Sequence, residues 1–262
     1  MSLPKPQANT FVVVTGASSG IGTEIARGLA RRGHNLILVA RRADRLEELA
    51  NEVGSKYNVT ATVQPADLGN PGHRQKLIET LVGQPIVGLV NSAGFGTKGV
   101  FHELPLSRER EEVEVNVVAL MELTHALVPG MVARGAGAVL NIASIAGAQP
   151  VPSMAVYGAS KAFVDSFSQA INAELHGTGV SVTSLCPGPV PTEWAEIAEA
   201  QAFVFRPAQV SPKQVAEEAI VGMLKGKSSV VPGLVVKAAT IAGRMTPRSI
   251  SMPVIRTLGG RK

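Results

Sequence analysis

The chain has 262 residues, of which 45% are hydrophobic and 17% charged, and a formal net charge of +5. That is enough apolar material for one large core, while the single cysteine, Cys186, excludes an intramolecular disulfide and reads as a small core residue in a reducing cytosol. The five histidines (34, 73, 102, 125 and 176) show no metal-ligand spacing, residues 1–6 carry no apolar leader, and no apolar run is long enough to span a bilayer, so a cytoplasmic chain without a metal is expected.

Phe11 and the valines at 12, 13 and 14 form a short β-branched run typical of a buried parallel strand. Thr15-Gly16-Ala17-Ser18-Ser19-Gly20-Ile21-Gly22 follows it, and Ile21, Ile25, Leu29 and Ala30 then recur at helical spacing. A strand, a glycine turn and a helix in that order let the backbone approach a pyrophosphate at a positive helix N-terminus. The spacing is G-x-x-x-G-x-G and not the general dinucleotide fingerprint, so an ordinary tight turn is the alternative. Residues 35–40 read as strand two, 45–52 as a charged helix, and 59–63 as strand three, ending near Asp67. A helix at 74–81 leads to strand four at 86–91. Val113, Val117, Leu120, Leu123 and Leu127 mark a long helix carrying Asn116. Strand five covers 138–142, with Ser144 just past its carboxyl end. A helix over 154–175 carries Tyr157 and Lys161, and strand six covers 180–185. Residues 230–232 read as a final strand and 234–245 as a helix. The alternation predicts one α/β domain over 1–262: a Rossmann-type doubly wound parallel sheet of about seven strands with helices on both faces.

Tyr157 and Lys161 are four residues apart, so one helix face carries both. A nearby ammonium favours the phenolate, and a hydroxyl such as Ser144 can hold a carbonyl oxygen beside it. Together they would form an acid for a carbonyl or a base for an alcohol. Strand two ends in Arg41 and Arg42, where NAD-specific sites place a carboxylate. Guanidiniums pair with a 2′-phosphate, so NADP(H) is the expected cofactor, with Arg41 its main phosphate ligand and Arg42 helping or facing solvent. The alternative is a pair of solvated arginines opening a helix.

These motifs, in this order, resemble the classical short-chain dehydrogenase/reductase family. The matching residues are Thr15-Gly16-x-x-x-Gly20-x-Gly22, Asp67, Asn91-Ser92-Ala93-Gly94, Asn116, Ser144, Tyr157-x-x-x-Lys161 and Pro187-Gly188-x-x-x-Thr192. They cover roughly the first 195 residues, and Ser92 replaces the commoner asparagine. The resemblance implies that Tyr157 is the general acid/base and that Lys161 lowers its pKa and holds the nicotinamide ribose. Ser144 would polarise the substrate carbonyl, and Asn116 would anchor a water in a proton relay. Gly16, Ser18, Ser19, Gly20, Ile21 and Gly22 would form the pyrophosphate loop. Asp67 and Leu68 would flank the adenine, Asn91, Ala93 and Gly94 would line the cleft, and Pro187, Gly188 and Thr192 would meet the nicotinamide. Asn116 or Ser144 as turn residues and Asp67 as a helix N-cap are the alternatives.

Residues 189–212 would form a lid, and Trp194, Ile197, Phe203, Val204 and Phe205 make it apolar. That suits a lipophilic carbonyl substrate; packing of the lid on the domain is the alternative. After Glu218 there is no acidic residue, while Lys225, Lys227, Lys237, Arg244, Arg248, Arg256, Arg261 and Lys262 follow. This basic extension, about 233–262, reads as a solvated or oligomer-packing tail in preference to a peripheral membrane contact. It has no interleaved aromatics, so no nucleic-acid partner is expected. The activity implied is NADPH-dependent carbonyl reduction. An NAD-dependent hydroxysteroid or alcohol dehydrogenase and a non-catalytic NADP-sensing regulator are the alternatives, and a homodimer or homotetramer is the implied assembly.

Overall fold

The computed structural model describes residues 3–193 and 210–246, with 249, 252 and 253. Among these, seven parallel strands form one sheet in the order β3-β2-β1-β4-β5-β6-β7. The strands are β1 (Phe11–Thr15), β2 (Asn35–Ala40), β3 (Ala61–Pro65), β4 (Ile86–Asn91), β5 (Gly137–Ile142), β6 (Val180–Leu185) and β7 (Ser229–Val230). Side chains alternate along each strand, so Val12 and Val14 enter one core while Val13 enters the other. The first core takes α1 (Gly20–Ala30), α2 (Ala43–Tyr57) and α7 (Pro212–Leu224), through Ile25, Leu29, Leu46 and Ile220. The second takes α3 (Pro71–Leu81) and α5 (Leu120–Ala133), through Leu77, Leu81, Leu123 and Met131. α6 (Ala155–Glu174) runs against β6 on that second side. Apolar burial on both faces explains why β1, β2, β4 and β5 are near-continuous hydrophobic runs.

The helical stretch Leu106–Ala133 is long and apolar enough to cross a membrane by length and composition. It packs instead into the fold as α4 (Leu106–Val113), a π-helical segment (Glu114–Ala119) and α5. The π segment buries Asn116 and Ala119 together.

Several boundaries differ from the sequence expectation, α3 starting three residues early at Pro71 among them. Strand three starts at Ala61 because Asn58 takes a left-handed C-cap (φ 55°) after a helix that runs on from Ala43 to Tyr57. The final strand is Ser229–Val230, and α7 was not expected from the sequence. A helix over Leu234–Met245, here α8, is found where expected. The apolar lid side chains Trp194, Ile197, Phe203, Val204 and Phe205, and the tail residues Arg248, Arg256, Arg261 and Lys262, lie outside the described residues.

Candidate active site

The carboxyl ends of β1 and β4 are tied together by Thr15. Its hydroxyl donates to Val90 O at 3.3 Å and accepts from the Ser92 and Ala93 amides at 3.1 and 3.2 Å. Gly16 follows with φ +65°, and a Cβ there would stand 2.7 Å from Ala93 N. A Cβ on Gly22 would meet Gly16 O at 2.3 Å, so the turn closes only without side chains at both positions. Gly20, at φ +57°, faces Thr192, whose Cγ2 would be 3.2 Å from an added Cβ. Ser19, in extended conformation, opens α1.

A cavity of about 570 Å³ lies over this turn. Its wall includes Gly16, Ser18, Ser19, Gly20 and Ile21 from the loop and Arg41, Arg42, Asp67 and Leu68 from the ends of β2 and β3. Ala93, Gly94, Ser144, Tyr157, Lys161, Pro187, Gly188 and Thr192 complete it. Three expected residues stand outside the wall. Gly22 shapes the turn from behind. Asn91 does not line the cleft: its buried amide donates to Asn141 Oδ1 at 2.8 Å and Thr124 Oγ1 at 3.1 Å, clamping β4 to β5 and α5. Asn116 lies behind Gly94, where it accepts from Phe95 N at 3.1 Å and donates to Phe95 O at 2.8 Å and Ser160 Oγ at 3.1 Å. Asp67 is no helix cap; Oδ1 accepts from Gly69 N at 3.0 Å, and Asn70 caps α3.

The two arginines differ. Arg42 donates to Ser18 O at 3.1 Å and to Ser18 Oγ, and pairs with Glu193 at 3.0 Å. The Arg41 side chain is 68% exposed, with Glu111 at 3.8 Å. The structure therefore fastens Arg42 to the loop, whereas the sequence pointed first to Arg41.

The reacting groups sit at the opposite end of the cavity. Tyr157 is buried, and the Ser144 side chain beside it pulls the phenol's pKa down. Ser144 Oγ accepts from Ala146 N at 3.1 Å, which fixes its rotamer. Lys161 Nζ donates to Ile142 O at 2.8 Å and lies 5.7 Å from the Tyr157 ring centroid. A Cβ on Gly94 would come within 2.8 Å of Asn116 Oδ1 and 3.4 Å of Lys161 Nζ, so these three groups converge. Burial drives the Lys161 ammonium down to about 8, against an opposing pull from Glu112 and Cys186. Burial also pushes the Tyr157 phenol above its ordinary value; Ser144 lowers it and Glu112 raises it. The net displacement of the phenol is upward because desolvation is its largest cause. The arrangement is a buried proton donor beside a hydroxyl that can orient an oxygen, with a lysine able to exchange protons near neutrality.

Phe95, Ile145, Val151, Met154 and Val190 also line the cavity and were not singled out in the sequence. Phe95 and Ile145 directly follow the Asn91–Gly94 motif and Ser144, Val190 lies inside the Pro187–Thr192 motif, and Val151 and Met154 stand just before the Tyr157 helix, so adjacency to the motifs was the usable signal.

The family described as short chain dehydrogenase matches residues 10–202. A rat protein, very-long-chain 3-oxoacyl-CoA reductase, is 36% identical over 196 residues, covering 73% of this chain. The chain spans 63% of that relative's length. Sulfoacetaldehyde reductase 2 of Chromohalobacter salexigens is 38% identical over 188 residues, 70% of this chain and 74% of its own. A solved structure of a Sphingobium yanoikuyae short-chain dehydrogenase in complex with NADPH superposes with a TM-score of 0.83 at 34% identity, covering 89% of this chain and 91% of that one.

Proposed function

The chain belongs to the short-chain dehydrogenase family, and on that premise we propose that it is an NADPH-dependent oxidoreductase that reduces a lipophilic ketone, aldehyde or 3-oxoacyl thioester to the alcohol. The observation that carries this reading is that Ser144, buried Tyr157 and, one turn on, Lys161 line the same cavity as the glycine loop. The cavity suits a phosphorylated dinucleotide: loop backbone and a helix N-terminus at one end, two guanidiniums beside them. Ser18, Ser19, Gly20 and Ile21 would hold the pyrophosphate, Arg41 and Arg42 the 2′-phosphate, and Asp67 and Leu68 the adenine. Tyr157, Lys161 and Thr192 would hold the nicotinamide end. When bound, the reduced cofactor supplies the hydride.

Ser144 Oγ would donate to the substrate carbonyl oxygen and hold it against Tyr157. Tyr157 gives its proton to that oxygen as negative charge builds there, which is why a phenol kept protonated by burial suits reduction. Lys161 can then return a proton to the phenolate, since its own is held only to about 8. Asn116 fixes the Phe95 backbone, and with it the Gly94 turn against Lys161. The apolar side chains of Phe95, Val151, Met154 and Val190 support a lipophilic substrate. The names of the relatives include both an acyl-CoA ketone and a small aldehyde as substrates, so the substrate class rests on this lining. We further propose a homo-oligomer built on the Asn116 and Tyr157 helices.

Tyr157→Phe removes the proton donor and little volume. It should lower turnover of a hydrophobic ketone with NADPH by about 10²–10⁴-fold, while NADPH binding, followed by nicotinamide fluorescence and carried mainly by the loop and arginine end, stays nearly intact. A variant that kept most of its turnover would sink the mechanism.

A further inference from the structure

Two acids lie buried behind the catalytic wall, and no step above uses them. Glu109 and Glu112, on α4, are 4% and 0% exposed. Carboxylates at that depth are normally paired or protonated. Among the described residues, neither has an arginine or lysine ion-pair partner.

Their common neighbour is Thr97. Its amide donates to Glu112 Oε2 at 2.9 Å, and its hydroxyl lies 2.7 Å from the same oxygen while also touching Glu109 Oε1. A hydroxyl has one proton and can donate it to only one carboxylate. Thr97 bonds Glu112 through both its amide and its hydroxyl, so Glu112 is the carboxyl it holds. Burial raises the Glu112 carboxyl above its usual range, the Thr97 bonds pull it down and Glu109 raises it further. Glu112 Oε1 is fully enclosed and has no hydrogen-bond partner among the described residues.

The position of Glu112 gives this carboxyl a target. It lies one turn before Asn116 on the same helical stretch, and α4 packs on α6, which carries Tyr157 and Lys161. Both feel its charge, which favours the protonated phenol and the protonated amine. The other groups around this cluster are few. Thr97 and exposed Lys98 belong to the loop after β4; Ser144 faces Tyr157, and Cys186 at the end of β6 faces Lys161. Arg108 turns away, stacking 4.0 Å from the Phe95 ring centroid and pairing with Glu111 at 2.6 Å.

We propose that Glu112 is a positioning residue for proton transfer, a buried carboxylate held by Thr97 whose charge, across the α4–α6 contact, sets how tightly Tyr157 and Lys161 hold their protons. It rests on the reductase reading of the same site, but its physical effect can be read without turnover. Lysines isotope-labelled at Cε should show one resonance titrating near pH 8, far below the ordinary lysine range, and Lys161→Met should remove it. Glu112→Gln keeps the shape and removes the charge, so that midpoint should fall by about one pH unit. Glu112→Met, apolar and of similar length, should give the same fall, and serves alone if the glutamine variant does not fold. The alkaline limb of kcat/KM for ketone reduction should move to lower pH with it. An unchanged lysine midpoint in a folded variant overturns the inference. A shifted midpoint in a protein that turns over no carbonyl leaves it standing and removes the reductase reading instead.

Discussion

At the end of β2, one residue decides between two nearly identical cofactors. An acid there would accept from a ribose hydroxyl and repel a phosphate. This chain presents Arg41 and Arg42, each already facing a carboxylate, Glu111 at 3.8 Å and Glu193 at 3.0 Å. A 2′-phosphate would replace those partners with a doubly charged one. Arg42 also holds the glycine loop through Ser18, so changing it would disturb both cofactors. Arg41 makes no such bond, and Arg41→Asp is the cleaner test. We expect the KM for NADPH to rise about tenfold to hundredfold, the loss of one charged hydrogen-bonded contact of about 1.5–3 kcal/mol. The KM for NADH should hold or fall. Equal effects in steady-state kinetics would make Arg41 a bystander. The sequence singled out both arginines, which line the cavity, but not the bonds that fasten Arg42 to Ser18 of the glycine loop. Those bonds depend on Arg42 being the extended N-cap of α2, a rotation no motif encodes. Likewise the Tyr157 and Lys161 spacing gave their shared face, while the direction of the phenol's shift depends on depth, which spacing does not carry.

Elements were more legible where periodicity is strong and less where a few residues set a boundary. Strands 1, 2, 4 and 5 are largely apolar runs and could be read directly, while β6 is equally buried but interleaves Ser181, Thr183 and Ser184 with its apolar residues. β3 is an edge strand with half-exposed side chains that tolerates Pro65 at its end, so its β-branched residues did not fix its start. α7 had a readable signal that went unused: Ser211 caps it by accepting from Gln214 N at 3.2 Å, and Pro212 occupies the first helical position. α7 also has a structural duty. Ile220 is fully buried against α1, where a Cβ on Gly28 would come within 2.5 Å of Ile220 Cδ1. α1 is the helix that presents its N-terminus to the cavity. Ile220→Ala should therefore cost about 2–5 kcal/mol, measured by chemical denaturation, and loosen the loop enough to weaken NADPH binding as well. A cost under about 1 kcal/mol would show that α7 can close the gap, and that the cofactor helix does not rely on it.

At the scale of the molecule, the same two helices that build the active site also turn apolar side chains outward. Val113, Val117 and Met121 recur every four residues along the 106–133 stretch, and Val113 and Met121 are 39% and 40% exposed. On α6, Phe163 is 38% exposed and stacks on Phe167 with centroids 5.3 Å apart. The inner faces of these helices are already spent, with Glu112, Asn116 and Leu120 on one and Tyr157, Lys161 and Val164 on the other all buried. A second copy turned by a two-fold axis would bring each outward patch onto its own equivalent, because a symmetric interface needs only a self-complementary surface. Phe163 is the large apolar side chain that α6 exposes, and in such an interface a charge there would be buried twice, once from each copy. Phe163→Glu should therefore convert an assembled species into monomer in sedimentation velocity at micromolar protein. Turnover per site should fall less than assembly does, since Tyr157 and Lys161 face the other way. If the variant still sediments as the parent does, the helices do not pair through this face, and the oligomer, if one forms, uses another surface.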